Sequence, residues 1–196
     1  MNKKNLTTKE TFDLAVQNHK NNNLQAAENL YKEILKTRPN FQGAHNNLGN
    51  VLKELREFQN AIICYEKAIQ INPNYAQAHN NLGTVFYELQ ESQKAINCFQ
   101  KATQIQSDYA EAYNNLGIIF KELGELQKAA NYYEKATQIE PNYVEAYNNR
   151  GLIFQELDKH QEAIKCFEKA IKIQNNYVHA HNNLGIAFQE LGKFNE

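Results

Sequence analysis

Hydrophobic and polar positions along the chain recur with a period of 34 residues. The string Ala-x-Asn-Asn-Leu-Gly, or a close variant, returns at Ala44 to Gly49, Ala78 to Gly83, Ala112 to Gly117, Ala146 to Gly151 and Ala180 to Gly185, with no insertion between copies. Counting from the residue seven before each glycine, the units start at Thr8, Gln42, Ala76, Ala110, Val144 and Val178. Wrapped at about 100° per residue, the third, fourth, seventh, eighth, tenth, eleventh and fourteenth positions of a unit fall on one side. In the third unit these are Ala78, His79, Leu82, Gly83, Val85, Phe86 and Leu89, a stripe expected to be buried. Gln77, Asn80, Asn81, Thr84, Tyr87 and Glu88 fall opposite and are expected to be solvated. After a short break, Ala95, Ile96, Phe99, Ala102 and Thr103 form the buried side of a second helix, with Asn97, Gln100, Lys101 and Gln104 outside. Each unit therefore reads as a helical hairpin. A fixed period of this size predicts copies stacked in a line around a continuous core seam.

Pro39, Pro73 and Pro141 cannot continue a helix, and each is followed by Asn and an aromatic residue. Asn74, Asp108 and Asn142 are candidate N-caps, with Gln77, Glu111 and Glu145 placed three residues on to complete a capping box. Phe41, Tyr75, Tyr109, Tyr143 and Tyr177, one per unit, are expected to wedge between hairpins. Gly49, Gly83, Gly117, Gly151 and Gly185 lie inside helical patterns, where Gly costs about 1 kcal/mol relative to Ala, so a close backbone approach must offset it. The expected facing residues are Ala61, Ala95, Ala129 and Ala163 of the second helices.

Charge and composition narrow the function classes. A net charge of −1 lacks the basic footprint of phosphate binding, so no nucleic-acid partner is expected. The start, Met1 to Thr7, is polar and carries no apolar signal, and no apolar run approaches the roughly 18 residues of a membrane span. A cytoplasmic protein without a membrane partner is expected, which makes the Asn5-Leu6-Thr7 glycosylation triplet a chance match. Cys64, Cys98 and Cys166 share one repeat position; stacked helices hold such positions about 8 to 10 Å apart, beyond the reach of a disulfide, and they read as buried small hydrophobes. His179 and His181 diverge by about 160° on a helix and cannot share one ion there, while Ser92 and Ser107 sit outside any nucleophile motif. No cofactor, metal or catalytic residue is expected.

The order of residues in the third unit, His79, Leu82-Gly83, Phe86, Ala95, Phe99 and Ala102, resembles the 34-residue tetratricopeptide repeat, and the second unit keeps its closing proline at Pro73. Departures are few: His or Tyr stands for the family's Trp, Arg150 for a Leu, Ser107 for a Pro and Ala15 for the first Gly. The resemblance implies an all-α fold, a right-handed α-α superhelix of about five and a half helix-turn-helix repeats. A polar tail over 1–7 would precede one solenoid domain over 8–196, with repeats at 8–41, 42–75, 76–109, 110–143 and 144–177 and a partial one at 178–196. First helices would line the concave wall. Arg150, on the buried side, would pack its stem and send its guanidinium to an edge.

On that wall the helical wheel places Asn46, Asn80, Asn114, Asn148 and Asn182, then Asn47, Asn81, Asn115, Asn149 and Asn183. Asn50, Thr84, Ile118, Leu152 and Ile186 follow. An amide offers one acceptor and two donors, so a ladder of Asn suits successive peptide groups of an extended segment. The Asn-Leu-Gly form is similar to the superhelix of O-linked N-acetylglucosamine transferase, where Asn directly before Leu contacts peptide backbone; by position that role falls on Asn47, Asn81, Asn115, Asn149 and Asn183. The same amides also suit bonds between neighbouring helices, and both readings stand. Glu54, Glu88, Glu122, Glu156 and Glu190 form an acidic row that either favours cationic segments or keeps the surface soluble. The groove lacks the Lys and Arg of a carboxylate clamp. The leading function is thus a non-catalytic scaffold for protein–protein interaction, binding an extended peptide or a partner helix in the groove. The alternative is the substrate-recruiting segment of a larger glycosyltransferase-type or sulfotransferase-type enzyme, with the chain cut short at its C-terminus. Self-association through the last helix, Val178 to Leu191, is a third expectation.

Overall fold

The structure, a computed structural model, describes residues 6–194; the rest of the expected N-terminal tail, Asn5 of the glycosylation triplet and the last two residues lie outside that range. The described residues form eleven α-helices and no strand. They group into two compact units, Met1–Ile105 and Gln106–Glu196. The first holds α1 (Thr8–Lys20), α2 (Leu24–Thr37), α3 (Gln42–Glu54), α4 (Phe58–Ile71), α5 (Ala76–Glu88) and α6 (Ser92–Ile105). The second holds α7 (Ala110–Glu122), α8 (Leu126–Ile139), α9 (Val144–Glu156), α10 (His160–Ile173) and α11 (Val178–Phe194). The helix starts at Thr8, Gln42, Ala76, Ala110, Val144 and Val178 coincide with the unit starts read from the sequence.

Within each unit, consecutive helices pack as antiparallel neighbours, joined by turns too short for any other arrangement. First helices also touch one another, α1 with α3, α3 with α5, α7 with α9 and α9 with α11. Among the described residues no such contact joins α2 to α4, α4 to α6 or α8 to α10. The first helices of each unit therefore converge on its inner side and the second helices spread on its outer side.

The turn inside each hairpin is fixed by one residue in the left-handed region: Asn22 at φ 60°, Arg56 at 60°, Gln90 at 61°, Gly124 at 73° and Asp158 at 56°. Around Arg56, its own N–H bonds the Lys53 carbonyl at 2.9 Å and the Glu57 N–H bonds the Leu52 carbonyl at 2.8 Å. This pattern of paired reversals closes the last carbonyls of a helix. At the other end, the Asn74 N–H bonds the Asn72 side chain at 3.1 Å, and the Tyr75 N–H bonds the Asn72 carbonyl at 3.1 Å. The expected caps are corrected here. The N-cap residues are Phe41, Tyr75, Tyr109 and Tyr143, none with a side-chain cap bond, because the turn carries the chain one residue past Asn74, Asp108 and Asn142 before the helix begins. A capping box does occur at Thr7 and Glu10, ahead of α1.

The core is a seam of small and aromatic side chains. Ala44, Ala78, Ala112 and Ala146 of the first helices, and Ala61, Ala95, Ala129 and Ala163 of the second, are fully buried. The residues facing the helix glycines differ from expectation. A Cβ built on Gly49, Gly83, Gly117 or Gly151 would lie 2.6, 2.8, 2.6 or 2.4 Å from the ring of Tyr65, Phe99, Tyr133 or Phe167. The aromatic residue of the second helix, and not its alanine, occupies the space that the glycine clears. Phe41 does wedge between hairpins, with its ring centroid 5.1 Å from that of Phe12 in the preceding repeat.

Two further positions depart from the single-stripe wheel. Leu55, Leu89 and Leu123 are 36, 37 and 50% exposed because each sits in the C-cap, where the chain has already left the helical path. Asn46, Asn80, Asn114 and Asn148, expected on the solvated face, are buried. A wheel with one buried side assumes one neighbour, whereas a first helix in a stack is covered by second helices and by adjoining first helices together.

Candidate functional site

The inner side of each unit is built from residues at spacings of four, three and four along each first helix, which line up on one face. On α9 this line is Glu145, Asn149, Leu152 and Glu156; on α7 it is Glu111, Asn115, Ile118 and Glu122. On α3 it is Gly43, Asn47, Asn50 and Glu54, and on α5 Gln77, Asn81, Thr84 and Glu88. Asn47, Asn81, Asn115, Asn149 and Asn183 are all half-buried, as are Ile118 and Leu152, while Asn182 and Ile186 are exposed. The structure thus divides the Asn pairs. The first Asn lies under the surface in four copies, and the second sits at it.

The buried and half-buried amides bond one another. Asn81 Nδ2 donates to Asn46 Oδ1 at 3.0 Å, Asn46 Nδ2 to Asn47 Oδ1 at 3.2 Å, and Asn47 Nδ2 to the Tyr31 hydroxyl at 3.3 Å. That relay crosses from α5 through α3 to α2. In the second unit Asn183 Nδ2 donates to Asn148 Oδ1 at 2.9 Å. Buried amides need such partners, since each unpaired one costs about 1 to 3 kcal/mol. Asn50 accepts from the Tyr65 hydroxyl at 2.7 Å, and the Thr84 hydroxyl donates to the Asn80 carbonyl at 3.2 Å, so the ninth position of α3 and α5 is polar and tied down.

The acidic row bonds in the same offset of 35 residues. His19 Nε2 meets Glu54 at 2.9 Å, Lys121 meets Glu156 at 3.2 Å, and Gln155 donates to Glu190 at 3.1 Å. Every one of these joins the twelfth position of a repeat to the thirteenth of the next. The offset is legible in the chain as a complementary pair 35 apart, a signal that the helical wheel of a single unit cannot show.

The fourth-position histidines sit at the edge. His45, His79 and His181 each place Nε2 within 2.8 to 3.0 Å of a backbone carbonyl six residues earlier, at Pro39, Pro73 and Asn175. They close the inter-repeat turn, and burial holds the His79 imidazole below its usual range. Arg150 behaves as its position implies, with Nη2 3.0 Å from Glu134 of α8 and its guanidinium 5.2 Å from the Phe154 ring centroid. Cys64, Cys98 and Cys166 are free thiols that burial pushes up to about 11. No group of three or more metal-ligating side chains occurs among the described residues, and no helix there is long and apolar enough to cross a membrane.

Stacked helical hairpins of 34 residues, with a glycine in α3, α5, α7 and α9 seated under an aromatic ring of the helix that follows, define a solenoid of repeats. Models of the tetratricopeptide repeat match residues 42–108, 76–142 and 144–177. The chain belongs to the tetratricopeptide repeat family, whose members mediate protein–protein interactions. Among solved structures it is similar to MamA, at 29% identity and a TM-score of 0.71 over 87% of this chain and 93% of that one. It shares its fold with YrrB, described as a TPR protein with an unusual peptide-binding site, at 23% identity and a TM-score of 0.67 over 90% and 91% of the two chains. It also shares it with TTC0263, a thermophilic TPR protein of Thermus thermophilus, at 18% identity and 0.74 over 93% and 100%. No curated protein matches the chain significantly in sequence.

Proposed function

We propose that this chain is a non-catalytic scaffold whose first-helix wall holds an extended peptide from a protein partner. The observation that supports this reading most is the surface row of half-buried amides, Asn47 and Asn81 in the first unit and Asn115, Asn149 and Asn183 in the second. A primary amide has two N–H donors and one carbonyl acceptor. Asn81 and Asn183 each direct one N–H into the stack, so the fold orients the amide. Pre-oriented polar groups lose less entropy on binding, which favours capture of a backbone whose side chains vary. The buried Asn46 and Asn148, whose carbonyls accept those N–H groups, support that row. The test is Asn149→Ala combined with Asn115→Ala: partner binding should weaken while helicity by circular dichroism holds. Lost helicity with unchanged binding would overturn the reading.

Self-association through α11 is a second reading, supported by Val178 and Phe188, which are 64 and 51% exposed on that helix. A monomer mass independent of concentration in sedimentation would dismiss it.

A further inference from the structure

We infer that the wall of the second unit selects a basic segment carrying an apolar side chain at every third residue, in the polyproline II conformation. This rests on the peptide-holding reading above and specifies its ligand. At the ninth repeat position α3 and α5 differ from the three first helices of the second unit, while α1 carries the half-buried Val16 there. Where α3 and α5 carry Asn50 and Thr84, both tied into internal hydrogen bonds, α7, α9 and α11 carry Ile118, Leu152 and Ile186. Ile186 is 48% exposed, and Ile118 and Leu152 are half-buried, so one apolar spot per helix reaches the surface of this wall.

The spacing of those spots picks out a backbone conformation. Packed helices lie about 8 to 10 Å apart. Here α7 touches α9, α9 touches α11, and the Asn183 to Asn148 bond closes the latter pair at 2.9 Å. A strand repeats its side-chain direction after two residues, about 6.6 Å, and an α-helix after one turn of about 5.4 Å. Polyproline II advances about 9.3 Å in three residues, which matches the helix spacing, and it leaves every backbone N–H and C=O unpaired for the Asn row beside the stripe.

Charge on the same faces sets the rest of the ligand. Glu145 lies seven residues before Leu152 and Glu156 four after it, so carboxylates flank the apolar spot on both sides. Glu111 and Glu122 flank Ile118 on α7, and Glu190 follows Ile186 on α11. Against these the flanking positions of the three faces hold no Lys or Arg, and the nearby Lys121 pairs with Glu156. A segment with Lys between its apolar residues meets the excess negative charge; an acidic one is repelled.

The experiment uses the full chain and three synthetic peptides: three repeats of Leu-Lys-Pro, a peptide of the same composition with Leu at alternate positions, and the Leu-Glu-Pro counterpart of the first. By fluorescence anisotropy the Leu-Lys-Pro peptide should bind about tenfold or more tightly than either other, the factor expected from one well-buried Leu side chain. Leu152→Asn, which installs the residue type found at Asn50, should remove that preference, and the more exposed Ile186→Asn does the same without touching the core. Gln104→Ala, exposed on the second helix α6 and away from the wall, should leave it unchanged. Equal binding of the two Lys peptides, both still weakened by Asn149→Ala, would overturn the spacing claim while leaving the peptide-holding reading in place. No binding of any peptide would overturn both.

Discussion

Asn81 donates to Asn46 across the boundary between two repeats, 3.0 Å apart in space and 35 residues apart in the chain. The offset exceeds the 34-residue period by one, so each amide bonds its neighbour's partner position and not its own copy. Asn46 is fully buried, and its amide hydrogen passes the relay on to Asn47. Asn81→Ala should therefore cost about 1 to 3 kcal/mol, because it strands a buried carbonyl. Removing both partners by the Asn46→Ala, Asn81→Ala double variant should cost less than the sum of the two single changes, by about 0.5 kcal/mol or more in urea denaturation. Strict additivity would show that the two amides do not act as a pair.

The glycine at the eighth position makes a sharper claim, because its copies should respond in opposite directions. A Cβ on Gly151 would lie 2.4 Å from the ring of Phe167, which is fully buried and cannot swing aside. Gly151→Ala should destabilise by about 1 to 3 kcal/mol of overpacking, outweighing the helix-propensity gain. At Gly185 a Cβ meets nothing within 4 Å among the described residues, and Gly185→Ala should stabilise by about 1 kcal/mol. A loss at both sites in thermal melts would mean that something other than the facing ring demands the glycine.

Gln90 occupies the left-handed turn position at φ 61°, where Gly124 supplies the residue suited to it in another repeat. A side chain costs roughly 1 kcal/mol there. Gln90→Gly should raise stability by about 0.5 to 1 kcal/mol, and Gly124→Ala should lower it by a similar amount. Reversed signs would show that the turn relaxes when its residue changes.

Alkaline pH should unfold the protein earlier than neutral pH. Burial raises the thiols of Cys64, Cys98 and Cys166 to about 11 and the Tyr143 hydroxyl to about 12. A folded-state value above the unfolded one means that the unfolded chain releases its proton first. The contribution is whole below about pH 8.5, the free-thiol value, and is lost progressively as pH rises to about 11 and above. Melting temperatures should be level from pH 7 to 8 and fall beyond 9. Labelling by a disulfide reagent at pH 8 should be about a hundredfold slower in the native protein than in denaturant, since the nucleophile is the thiolate. Equal rates would refute the burial of these thiols.

Arg150 stands where the second, third and fourth repeats bury Leu48, Leu82 and Leu116. Its ion pair with Glu134 is partly solvated and therefore weak, and its Nε is buried without a hydrogen-bond partner. Arg150→Leu should stabilise by about 1 kcal/mol in denaturant titration, the scale set by relieving one buried unpaired donor. A loss would show that the guanidinium over Phe154 contributes more than the apolar packing it displaces.

The hairpins, their starting residues and the buried alanines were legible because 34-residue periodicity and helical periodicity reinforce one another at every copy. Three things were not. The burial of Asn46 and Asn80 depends on the adjoining repeat, which a wheel drawn for one helix omits. The cap at Tyr75 in place of Asn74 depends on how the Asn72 turn spends its hydrogen bonds, and composition favours either residue. The ring of Phe99 over Gly83 depends on side-chain direction across the hairpin, where Ala95 is the nearer of the two in a linear count. For the candidate wall, the sequence identified the polar positions but not which Asn of each pair reaches the surface.

Between α9 and α11 the two bonds with an offset of 35, Asn183 to Asn148 and Gln155 to Glu190 two turns later, check the phase of the helix twice. One residue inserted between them would rotate the second bond by about 100° relative to the first and break it. Loops can absorb length, but the span between these bonds cannot. The array therefore lengthens or shortens by complete copies, so its reach along a partner changes in steps of one helix spacing and never by a fraction of one.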